Sequence, residues 1–390
     1  MENDKSIVEC ESLEEWLMNQ KDNEFPKYYP DKGQKSYPDK YNDLKNALVP
    51  IHANVEKGAM LESVNKWRRE IIDELSELKK SDDENKETRI GELEESLHND
   101  PVIYLNQHGV GHVEKVAEKV LELIKKFQFD YPSASEVFIL LCAIQIHDIG
   151  NVYGREGHEK SFQAKFQEIV QRIISDSVTQ KNIMKIAQVH SGNMNGDKDT
   201  ITKAGLQNDK TWFNKKIREQ LLAALLRFGD ELADDSSRYD VVAMDLNQIP
   251  EESRIYHEYS KCLHAVNIFD HSMNKTCYVS LEYYVDSSAV TIEYKKGEKA
   301  ILLIDEIFNR TKKMEQERRY CMRFMSPFIP LTEIRGKIEI EPQEDFTQSE
   351  VITYTLKEKG YPSNDIIIDC IPNTGEQVKT LLKEKGWQLK

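Results

Sequence analysis

Two adjacent residues, His147 and Asp148, close a run in which Val137, Phe138, Ile139, Leu140, Leu141, Ala143, Ile144 and Ile146 are apolar. A carboxylate carried into such surroundings without a partner costs several kcal/mol, so it needs a cation or several donors. A divalent metal is the most economical partner for a histidine and an aspartate side by side. Two further residues stand where the same ion could collect them. His112 lies one residue ahead of an apolar stripe. Asp230 lies at the edge of the stripe Leu222, Leu225, Leu226, Gly229 and Ala233, where Gly229 permits close backbone approach. Two imidazoles and two carboxylates suit manganese, zinc, iron, nickel or magnesium, and the set alone does not choose among them. The competing reading satisfies all four with ordinary hydrogen bonds; it requires three helices to bury acids and histidines together by chance.

The elements that must carry these residues are helical. Val113, Val116, Ala117, Val120, Leu121, Ile124 and Phe127 recur at the spacing of a helix lying on a core, so a helix is expected over 112–127. After Pro132, Ser133 and Glu136 can cap each other across the first turn of VFILLCAIQIHD, a helix apolar nearly all round and therefore central. Further helices are expected over 158–175, 180–190 and 214–235, which together make a bundle. Ahead of it stand a short helix after Ser12, with Glu15 in the capping-box position, a Tyr, Pro and Lys-rich loop or arm over 24–41, and a helix over 61–80 running into a charged linker. Beyond Pro250 the period changes to two. CYVSLEYYV and SAVTIEYK read as a β-hairpin around Asp286 and Ser287, followed by a charged helix at 299–323 and a strand at 337–341. The tail from about 346 reads helix, strand (DIIIDC), helix. The expected fold is mainly α, with an N-terminal helical arm and linker at 1–100, a helical metal-binding domain at 101–250, a β-hairpin and helix extension at 251–342 and a small α/β segment at 343–390.

Composition narrows the partners. Lys and Arg number 53 against 68 Asp and Glu, and the resulting charge of −15 repels a polyanionic backbone, so long nucleic acid is not an expected ligand. The six cysteines are scattered, without a CxxC pair, and read as reduced and structural. The N-terminus is acidic, with no apolar leader core, and no window approaches a bilayer span, so a cytoplasmic location is expected.

The order His112, then His147-Asp148, then Asp230, with HVEKVAEKVLEL around the first and CAIQIHDIGN around the doublet, resembles the HD-domain superfamily of metal-dependent phosphohydrolases over about residues 102–240. The combination HGVGHVEKV, HDIGNVYGREGHE and LLRFGDELADD is most like the HD domains of prokaryotic conflict and stress systems, though no ATPase signature accompanies it here. The resemblance implies a helical bundle, a mononuclear or binuclear metal site and hydrolysis of a phosphate ester or nucleotide. The chain departs from the guanosine tetraphosphate hydrolases after the doublet. It also lacks the GYP that cyclic-di-GMP phosphodiesterases carry after His190; Gly360-Tyr361-Pro362 lies far away in the tail. Gly157-His158-Glu159 is similar to the His and acid that deoxynucleotide triphosphohydrolases place after the doublet, with different spacing.

In this reading Asp148 ligates the ion and orients an acidified water, while His158 and Glu159 join it as catalytic residues, His158 protonating the leaving group. His158 and His190 alternatively complete a second metal site, or simply cap helix ends. His108, Arg155 and Arg227 are candidates for substrate contact, the arginines through bidentate bonds to phosphate; structural ion pairs explain them as well. Glu231 and Asp234 either orient ligands or are solvated. Two other functions stay open: a phosphodiesterase of cyclic or short oligonucleotides, and a catalytically weak nucleotide-sensing module that engages a partner protein or a second copy.

Overall fold

The computed structural model describes residues 6–26, 35–57, 109–149, 169–190, 196–234, 236, 251–297, 299–342, 348–357, 370–387 and 389. Helices α1 (Leu13–Met18), α2 (Tyr37–Lys57), α3 (Val110–Ile124), α4 (Ala134–Ile146), α5 (Ser177–Gln188), the single turn α6 (Thr200–Lys203) and α7 (Glu219–Leu232) build the first part. All thirteen residues of α4 are buried. It is the central rod, with α1, α2, α5 and α7 packed around it. The expected cap is present: Ser133 Oγ accepts from Glu136 N at 3.3 Å, and Glu136 Oε2 accepts from Ser133 N at 2.9 Å. Strands β1 (Lys210–Trp212) and β2 (Lys215–Ile217) form an antiparallel ribbon ahead of α7, whose Trp212 stacks on Phe138 of α4 and donates to Thr179 Oγ1 at 2.8 Å.

The second part holds α8 (Glu251–Cys262), β3 (Leu263–Asp270), β4 (Cys277–Asp286), β5 (Glu293–Lys296), β6 (Lys299–Leu302), α9 (Leu303–Met325), β7 (Leu331–Glu341), β8 (Glu350–Lys357) and α10 (Gly375–Glu384). Four strands form one sheet in the order β3-β4-β7-β8, with β4 and β7 parallel and the outer pairs antiparallel. Burial alternates along β4 and β7 so that Val279, Leu281, Tyr283, Ile334 and Ile338 face inward. There α9 covers them: its Thr311 hydroxyl lies 2.9 Å from Tyr354 Oη, and Arg318 Nη1 donates to Leu331 O at 3.0 Å. The other side of α9 lies along α7, where Arg227 bridges to Glu317 at 2.7 Å and Glu231 to Lys313 at 2.7 Å.

Several sequence expectations change. The fold is less purely helical than expected, since the described residues include three sheets with eight strands. The hairpin around Asp286 and Ser287 does not form. Both edges of β4 are taken by β3 and β7, and Asp286 caps a 3-10 turn at Ser287–Val290 that leads the chain out of the sheet. Strands β5 and β6 instead pair with each other around Gly297, whose φ of +61° suits the turn. The first helix expected in the tail is strand β8, which buries Ile352, Tyr354 and Leu356 on one face. The arm at 24–41 becomes helical from Tyr37, where Ser36 Oγ accepts from Asp39 N at 3.2 Å. The charged helix starts at Leu303 because 299–302 is strand. The helix at 61–80, most of that at 158–175 and all of DIIIDC except Cys370 lie outside the described residues. Among the described residues, no helix is long and apolar enough to cross a membrane.

Candidate metal centre

Three helices carry the candidate ligands to one point. His112 sits in the first turn of α3, His147 caps the C-terminus of α4 with Asp148 directly after it, and Asp230 lies in the last turn of α7. The approach of α7 to α3 depends on Gly229: a Cβ there would fall well inside van der Waals contact of Val120 Cγ2, and Val116 O would be 3.6 Å away. His190 stands just beyond the end of α5.

The two ring nitrogens of His147 have different jobs. Nδ1 lies 2.7 Å from Ile144 O, and because a carbonyl oxygen only accepts, Nδ1 carries the hydrogen and Nε2 is turned to the cluster. His190 repeats the arrangement, with Nδ1 at 2.6 Å from Ala187 O. Around Nε2 of His147 stand Asp148 Oδ2 at 3.5 Å and Asp230 Oδ1 at 3.8 Å; Nε2 of His112 lies 3.1 Å from Asp230 Oδ1 and 3.6 Å from Asp148 Oδ2. His147 is 1% exposed and Asp148 8%, whereas the Asp230 side chain is 27% exposed, so the opening is on its side.

These spacings test whether a cation fits. His147 Nε2 is buried without a hydrogen-bond partner. Atoms bound to one ion at about 2.1 Å stand about 3.0–3.5 Å from each other, at the long end of the hydrogen-bond range or beyond it, and the separations of 3.1 to 3.8 Å found here are of that order. The ligand atoms of His112, His147 and Asp148 lie within 4.8 Å of one another, as a shared ion requires. The donor set fits a divalent metal. Without one, a proton takes its place: burial lowers the pKa of His147, but the Asp148 and Asp230 carboxylates outweigh it and push the value up to about 9. Burial raises the Asp230 pKa, yet His112 and His147 hold it well below the usual carboxylate range.

His190 adds a feature of its own. Its Nε2 lies 3.4 Å from Asp148 Oδ1, the oxygen opposite the one that faces His112 and His147. Asp148 therefore presents one oxygen to each side.

Arg227 does not join this cluster. Nε and Nη2 donate to the two Glu317 oxygens at 2.7 and 3.0 Å, Nη1 donates to Thr200 Oγ1 at 2.8 Å, and the guanidinium stacks 4.3 Å from the Tyr320 ring. The bidentate fork expected for a phosphate is filled by a carboxylate of α9. Glu231 is likewise held by Lys313, and Asp234 acts on Arg310, whose pKa it helps to raise against the effect of burial. His108, Arg155, His158 and Glu159 lie outside the described residues. Sequence reasoning passed over Arg218, which bonds Glu136 at the far end of α4 and α7; nothing local marks it, because its partner is 82 residues away.

No curated protein and no solved structure matches the chain. A sequence model of the HD-CE family matches residues 102–310, more than half of the length, taking in the three ligand-bearing helices and running through β3–β6 into α9, and the chain belongs to that family.

Proposed function

We propose that the chain is a metal-dependent phosphohydrolase acting on a nucleotide or related phosphate ester. The observation that carries this is the convergence of two imidazoles and two carboxylates from three helices at separations of 3.1 to 3.8 Å. His112, His147, Asp148 and Asp230 would hold the ion, which when bound supplies Lewis acidity toward water and charge neutralisation at a phosphoryl oxygen. The protein's residues do the rest. The Ile144 carbonyl fixes the His147 ring and tautomer, and such support tightens metal sites. Asp148, buried between three imidazoles, orients the attacking water. Asp230 stands at the more open side, where a phosphate would approach. His158 is proposed to protonate the leaving group, with Glu159 beside it.

The two-sided contacts of Asp148 favour a second ion as a finer reading, with Oδ1 and His190 Nε2 as its first ligands. A sensing module with weak catalysis is the second function supported by an observation, since α9 lies against both the sheet and α7 beside the centre.

The test is a metal-reconstituted activity screen on ribonucleotides, deoxynucleotides and cyclic dinucleotides, paired with His147→Ala/Asp148→Ala. Turnover in the wild type, lost with the metal content in a folded variant, supports the proposal. Undiminished turnover in that variant overturns it, and tight nucleotide binding with no turnover under any metal moves the chain to the sensing reading.

A further inference from the structure

The chemistry of the metal centre makes no use of the buried ion pair at the opposite ends of the same helices. Glu136 is in the first turn of α4 and Arg218 is the N-cap of α7. Arg218 Nε donates to Glu136 Oε1 at 2.8 Å, Nη2 to Oε2 at 2.8 Å, and the Arg218 backbone N to Oε1 at 3.0 Å. Nη1 adds bonds to Asp130 O at 2.8 Å and Asp130 Oδ2 at 2.9 Å. Such a pair gives little net stability relative to a well-packed apolar one, because desolvating the charges offsets most of their attraction. What it supplies is direction, which the apolar surface along the rest of the two helices lacks.

The count of residues from this pair to the ligands is the same on both helices. Asp148 is twelve residues beyond Glu136, and Asp230 is twelve beyond Arg218. Each span is about 18 Å of helix rise. The helices meet again at that end, where His147 Nε2 and Asp230 Oδ1 are 3.8 Å apart. A slip of one residue in α7 would move Asp230 about 1.5 Å along the axis and turn it by about 100°, out of reach of His112. We infer that Arg218 and Glu136 form a positioning pair that sets α7 level with α4 and thereby brings Asp148 and Asp230 to one ion. This rests on the metal-site reading above.

The experiment replaces both partners, Glu136→Met with Arg218→Met, so that no lone charge is left buried. Mn²⁺ and Zn²⁺ are each titrated into metal-free wild type and variant, with thermal unfolding of the metal-free proteins followed alongside. The dissociation constant of the tighter-bound ion is expected to rise about tenfold or more, with a midpoint change of no more than about 5 °C. Ile338→Ala, buried in β7, is the destabilised control and should bind as wild type. Wild-type affinity in the double variant, or an equal loss in Ile338→Ala, overturns the inference. If the double variant does not fold, Arg218→Lys takes its place under the same criteria, keeping the charge but losing the fork. A wild type that takes up neither ion would refute the metal reading itself, and this one with it.

Discussion

Gly229→Ala should loosen the metal centre from within the α3–α7 contact. The new methyl would meet Val120 Cγ2 about an ångström or more inside the ~3.5–4.0 Å at which carbon atoms normally sit. Val120 is fully buried and, being β-branched, has essentially one rotamer in a helix, so it has nowhere to turn. The remaining response is for α7 to back away from α3. Asp230 is the next residue, and its oxygen lies 3.1 Å from His112 Nε2. An ångström of separation takes that pair past the roughly 3.0–3.5 Å that neighbouring ligands of one ion keep, and metal–ligand distances hold to about 0.2 Å, so the ion would have to give up or distort one of the two bonds. Overpacking of this kind costs about 1–3 kcal/mol, against which alanine recovers roughly 0.5–1 kcal/mol of helix propensity. Calorimetric titration of a divalent ion should therefore show affinity lost by a larger factor than stability explains. Adding Val120→Ala removes the obstructing methyl and should restore affinity. Wild-type affinity in Gly229→Ala alone would refute the reasoning.

Other predictions follow from the same geometry. Loading the metal-free protein at pH 8 should release at least about one proton per site, because His147, raised to about 9, is protonated there and must become neutral to ligate, and any acidified bound water adds to the count. Affinity should fall as the pH drops further below 9. Titrations in buffers of different ionisation enthalpy read the number directly, and zero release would contradict the placement of His147. Arg227→Ala strands Glu317 and opens the α7–α9 seam, so it should lower stability by about 3 kcal/mol; urea unfolding measures this, and an unchanged stability with a raised KM would return Arg227 to substrate contact. His190→Ala should lose any second ion while retaining the first, read by elemental analysis, and loss of all metal would make His190 a ligand of the primary ion.

The centre was legible in the sequence because its residues break a pattern. His147 and Asp148 interrupt an apolar run, and Gly229 marks where α7 must come close. The cap of α4 was legible for a similar reason, since Ser133 and Glu136 are three residues apart. What escaped depends on partners distant in sequence. Arg227 stayed open between a phosphate contact and a structural ion pair because Glu317, the partner that decides it, is 90 residues away. The segment 277–286 alternates as a strand should, but alternation does not name a partner, and the nearer candidate lost to β3 and β7. Strand β8 is defined by its pairing with β7, where the Tyr354 ring fills the space a side chain at Gly336 would take.

The placement of α9 has a consequence for how the molecule comes apart. One flank holds Arg227 and Glu231 of α7, and the other meets Tyr283 and Tyr354 of the sheet. A wall shared in this way leaves neither room standing when it is pulled down. The ligand-bearing bundle and the sheet should therefore melt as one cooperative unit, with a single calorimetric peak whose midpoint rises when metal is added, even for reporters placed only in the strands.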